Sequence, residues 1–177
     1  MKIGDRSERT RRVAMCAMLS ALGVVVLYLG SIIEVLDISM AVIASVFAIF
    51  AVIEYGAGAA WSIYAITGFL SLLLLPNKFP ALMYALFFGF YPIIKEKVEK
   101  LRSKIAQWAL KELIFNACLI VLMLLSNIIL DIDTKAWFAM EVIFFVLANG
   151  TFVIYDIALT RLISLYVFRL RGKFKIK

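Results

Sequence analysis

Histidine is missing altogether from this chain, and cysteine occurs only twice. Without histidine there is no HExxH metal site, no histidine-based triad and little scope for a catalytic base. An intramembrane serine protease of rhomboid type is excluded on the same ground. Cys16 and Cys118 both fall within apolar runs, where they read as small apolar fillers rather than a disulfide or a metal site. The carboxylates are scattered, with no paired acid and base and no nucleophile elbow, so no enzyme is expected. No cofactor and no metal are expected either. A Ser/Gly/Pro-rich linker is also lacking, which predicts one domain over residues 1–177.

What is abundant is apolar side chain: 64% of 177 residues, with a mean hydropathy of +1.00. A water-soluble domain of this size needs a far larger polar fraction to cover its surface. In lipid, long apolar helices satisfy their own backbone hydrogen bonds. The net charge of +7 would suit nucleic acid in a soluble protein. Here the basic residues cluster beside apolar runs, so membrane lipids are the expected partners and nucleic acid is not. Arg9, Arg11 and Arg12 precede an apolar stretch too long for a signal-peptide core, which predicts a retained first helix.

Charged and turn residues cut the chain into spans near the length that crosses about 30 Å of hydrocarbon. The expected helices lie near 13–33, 38–53, 57–75, 79–94, 108–130 and 137–165. The second and fourth are short, and a re-entrant pair would look similar. The prediction is an all-α, polytopic membrane protein, a six-transmembrane-helix bundle with N- and C-termini cytoplasmic. Charge supports that threading. It places Lys2, Arg6, Arg9, Arg11, Arg12, the Lys95–Lys111 cluster and the basic C-terminal end inside, leaving Lys78 and Lys135 outside. Five spans would scatter the pattern. Over 95–107, Val98, Leu101 and Ile105 recur at helical spacing among basic residues and lead to Trp108. This predicts a basic amphipathic helix on the inner membrane surface, or a docking surface for a partner.

Polar groups within the bilayer each ask for a partner or a purpose. Glu141 lies about one turn inside the outer end of the last span. Asn149-Gly150-Thr151 falls near its middle, where glycine can loosen a helix. Asn127 and Ser126 lie near the outer end of the fifth span. With Trp137, Glu34 and Asp37, these residues outline an outward-facing pocket for a small-molecule ligand. Interhelical hydrogen bonds that hold the bundle together are the competing role for Asn127 and Asn149. Asp156 and Arg161 stand five apart, a poor spacing for an ion pair on one helix. Each is expected to face a different neighbour, with Glu112 and Asn116 at similar depth. Ala14, Ala17 and Ala21 make a smooth strip on the first helix, suited to packing inside the bundle or to docking another subunit. Gly56-Ala57-Gly58 permits a tight turn. Asn77-Lys78 and Tyr91-Pro92 have no evident role in the sequence.

The order of these features resembles the S components of energy-coupling factor (ECF) importers, small six-helix proteins that capture vitamins and related solutes. The resemblance rests on the basic start, Ala17-x-x-x-Ala21, Asp37-Ile38-Ser39 opening the second helix, and Gly56-Ala57-Gly58. It implies a substrate-binding membrane subunit in a bacterial plasma membrane, working with a transmembrane coupling subunit and ABC ATPases. The alanine strip would then dock on the coupling subunit. No ligand signature of that family, including an aromatic-rich thiamine site, is matched. The missing histidine argues against its cobalt and nickel members. The alternative is a non-transporting membrane scaffold similar to the cell-shape protein MreD, in which the basic segment would be the working surface.

Overall fold

The computed structural model describes the backbone over residues 3–130 and 138–170, and side chains over 8–33, 35–125 and 143–168. Among these residues every regular element is helical. Helix α1 runs from Ile3 to Ile32 and starts well before the expected Val13, because Glu8 and the arginines ahead of the apolar run are good helix formers. A short 3-10 turn, Glu34–Leu36, leads into α2, Asp37–Tyr55. Helix α3, Ala57–Leu74, follows after a single residue. That residue is Gly56, at φ 80° and ψ 172°, a conformation essentially reserved for glycine. The tight turn read from the sequence is there. Arg12 Nη2 also donates to the Tyr55 carbonyl at 2.7 Å, placing a cation at the C-terminus of α2.

The fourth segment departs most from expectation. It is no continuous helix: α4, Phe79–Met83, passes into a π turn, Tyr84–Phe88, and restarts as α5, Tyr91–Val98. Pro92 is the local cause. Its ring nitrogen cannot donate to the Phe88 carbonyl one turn back, and the ring crowds that carbonyl. Helix α6, Lys104–Leu130, and helix α7, Phe138–Leu165, follow, α7 widening into a π turn at Tyr166–Leu170. Helix α7 runs unbroken through Gly150, so glycine does not loosen it there. The expected amphipathic helix over 95–107 is likewise two pieces, since α5 ends at Val98 and α6 begins at Lys104.

Among the described residues, five helices are long and apolar enough to cross a membrane: Glu8–Ile32, Asp37–Tyr55, Ala57–Leu74, Lys104–Leu125 and Ile143–Phe168. Their outward faces carry side chains suited to lipid, among them Phe69, Leu73, Leu113, Leu147 and Ile154, each more than 60% exposed.

The chain forms two compact units that meet in sequence at Gln107 and Trp108. In the first, α1, α2 and α3 pack on one another, with the fourth segment held against them. Helix α2 offers Ala41, Ala44, Ala48 and Ala51 to this core, each at most 1% exposed. Small residues at three- and four-residue spacing let helices approach closely. Leu27, Leu75, Ala81 and Tyr84 close one apolar cluster around this face, and Leu19, Ala60, Ile63 and Ile93 another. Ala14, Ala17 and Ala21 lie on the exposed side of α1.

Candidate functional site

The second unit carries the densest polar arrangement inside apolar helices. On α6, Trp108, Lys111, Glu112, Phe115 and Asn116 follow helical spacing along one side. On α7, Asn149, Phe152 and Asp156 do the same, running the other way. Lys111 Nζ meets Asp156 Oδ2 at 2.8 Å, and both side chains are almost fully buried, at 6% and 3% exposure. The Trp108 ring lies beneath the ammonium, its centroid 5.4 Å from Nζ. One turn along, Phe115 and Phe152 stack at 4.5 Å and 9°. Next come Asn116 and Asn149. Asn116 Nδ2 donates to Asn149 Oδ1 at 3.1 Å, and Asn149 Nδ2 donates to Asn116 Oδ1 at 3.2 Å. Each amide also donates to the carbonyl four residues back, Glu112 at 2.9 Å and Phe145 at 2.8 Å.

This arrangement fixes what the amide pair can still do. Each Nδ2 has two hydrogens, and both are engaged. Each Oδ1 has two lone pairs and one of them is used within the pair, so two acceptor sites remain. From Lys104 the pair lies about 18 Å along α6, near mid-depth of a hydrocarbon layer of about 30 Å. The ion pair sits about 10 Å from the same point. A solute bearing hydroxyl or N–H donors matches the amide oxygens.

Of the expected outward-facing set, Asp37 and Asn149 have described side chains, one in each unit. Asp37 belongs to the first unit and is buried at the start of α2, where Oδ2 accepts from Asn77 Nδ2 at 3.4 Å. Asn77 Oδ1 in turn accepts the Phe79 backbone N–H at 2.9 Å, and Lys78 Nζ donates to the Leu75 carbonyl at 2.6 Å. Asn77 thus fastens the α3–α4 connection to α2, while Lys78 caps the last carbonyls of α3. That supplies the role the sequence left open, and it gives Asp37 a structural task. Asn149 belongs to the second unit, paired with Asn116. Asn127, Glu141 and Glu34 fall on helical backbone, but their side chains, and Trp137 entirely, lie outside the described residues.

Two residues placed by sequence among the loop cations are instead buried. Lys111 pairs with Asp156, and Lys95, at 1% exposure, pairs with Glu99 at 2.9 Å. Asp156 therefore has its partner on the neighbouring helix. The signal available in the sequence was opposite charge at matching distance from adjoining ends of two antiparallel helices.

In the first unit, the π turn has its own polar solution. The Gly89 N–H bonds to the Tyr84 carbonyl at 2.8 Å rather than to Ala85, and the Tyr64 hydroxyl donates to the Ala85 carbonyl at 2.8 Å. Among the described residues, no group of three or more His, Cys, Asp and Glu side chains gathers as a metal would require. Comparison with protein-family models, curated proteins and solved structures finds no match to this chain.

Proposed function

We propose that this protein is the substrate-binding membrane subunit of an ECF-type importer for a small polar solute, threaded six times through a bacterial plasma membrane with both termini in the cytoplasm. The observation that carries the reading is the Asn116–Asn149 amide pair, with its spare acceptors at mid-depth, above the buried Lys111–Asp156 pair. Polar groups at that depth are costly, and in membrane proteins they concentrate along solute and ion pathways. The exposed Ala14, Ala17 and Ala21 support the same reading, since they leave a smooth face of α1 open to a coupling subunit.

The fourth segment supports the count of six. Its uncharged run, residues 79–94, has a helical rise of at most about 24 Å, a short crossing of the hydrocarbon. Residues 79–94 carry no charge, and Pro80, Ala81, Tyr84, Phe87, Tyr91 and Ile93 are buried against the other helices. Broken helices are tolerated at membrane depth where protein, not lipid, surrounds the irregular backbone.

The test is native mass spectrometry of gently purified protein, followed by thermal unfolding with the solute found. A retained small molecule that raises the unfolding temperature, together with co-purified ATPases, is the expected result. Asn116→Ala and Asn149→Ala should each weaken the thermal shift while the protein stays folded. Co-purification with cell-wall synthesis proteins and no bound solute would favour the scaffold instead.

A further inference from the structure

The stretch from Lys95 to Lys104, across the α5–α6 connection, carries five basic residues, but their charges are not equally available. Glu96 is bound to Lys100 at 2.7 Å, and Glu99 is bound to Lys95 at 2.9 Å. Both glutamates of the segment are thereby used. Lys97, Arg102 and Lys104 are exposed and have no ion-pair partner among the described residues. Beside them Leu101 is 44% exposed and Ile105 is 83% exposed. The loop is held in this form from within. Gln107 Nε2 donates to the carbonyls of Glu99 at 3.2 Å and Leu101 at 2.8 Å, and Ser103 Oγ accepts the Ala106 N–H at 3.4 Å.

We propose that Lys97, Arg102 and Lys104, with Leu101 and Ile105, form a binding surface for the headgroups of anionic phospholipids. Three unneutralised cations on a short, internally tied connection match phosphate charge without first ordering the backbone. The two exposed apolar side chains select a lipid over a free anion. Inorganic phosphate would leave them in water, whereas the glycerol and acyl region below a headgroup covers them. The inference does not depend on whether the protein binds a solute, only on this connection lying at a membrane surface.

Trp108 supplies the readout, being 40% exposed and one turn along α6 from Ile105. With Trp61→Phe and Trp137→Phe it becomes the remaining tryptophan, and brominated lipids quench it on contact. The full-length protein in vesicles should be quenched preferentially by brominated phosphatidylglycerol over brominated phosphatidylcholine. The preference should approach fivefold for each cation engaged at low salt, and shrink in about 1 M salt, where the Debye length is about 3 Å. Lys97→Gln, Arg102→Gln and Lys104→Gln together should bring the ratio near one, and Lys97→Arg with Lys104→Arg should keep it. Equal quenching by both lipids in the parent would overturn the proposal. So would a preference that survives the triple glutamine change, or one that millimolar inorganic phosphate abolishes. If the triple change leaves the lipid ratio intact but releases a co-purifying protein, the surface belongs to that protein and the proposal fails.

Discussion

Lys111 and Asp156 are each too deeply buried to lose a partner without consequence. Lys111→Met alone leaves a buried carboxylate, and Asp156→Leu alone leaves a buried ammonium. Each should destabilise the protein by about 3–5 kcal/mol, while the double change should recover most of the loss. Thermal unfolding in detergent of the four proteins in that cycle measures it. The pair was half legible in the sequence. Asp156 stands out as a charge in an apolar run, but Lys111 follows Lys104 closely enough to pass for the end of a basic loop. Only the helical arc from Trp108 to Asn116, set against its antiparallel counterpart on α7, separates it from the loop charges. Asn77 was illegible for a different reason: its partner Asp37 is 40 residues away, and neither residue carries a local pattern that announces the other.

The fourth segment and the α2–α3 turn show how single positions decide whole elements. At Gly89 an added Cβ would sit 2.6 Å from Tyr64 Cδ2 and 2.8 Å from Tyr84 Cε1. Tyr64 is also the donor to the Ala85 carbonyl, so it cannot swing aside without giving up that bond. Gly89→Ala should therefore cost about 1–3 kcal/mol, read as a lower unfolding temperature. Gly56→Ala should cost about 1–3 kcal/mol for another reason: nothing crowds the added Cβ, but the backbone conformation resists it. Apolar length and punctuation located the α2–α3 turn and three of the long helices closely. They did not resolve the π turn, because hydropathy is blind to which carbonyl an N–H reaches. The alanine strip of α2 also went unread, since alanines in an apolar run look like filler until their spacing meets a neighbour. On α1 the same kind of strip was noticed, and the structure leaves it exposed.

At the scale of the molecule, five helices among the described residues are of spanning length and composition, and the importer reading needs the broken fourth segment to cross as well. If it crosses, Lys78 and Lys100 lie on opposite sides. If it is re-entrant, they share one, and the basic connection is separated from the basic N-terminus. The direct measurement uses the Cys16→Ala, Cys118→Ala background with a single Lys78→Cys or Lys100→Cys, labelled in intact cells by a membrane-impermeant maleimide. Labelling at position 78 in intact cells, and at position 100 only after the membrane is opened, is the result this threading predicts. Equal accessibility of the two positions from one side would contradict it.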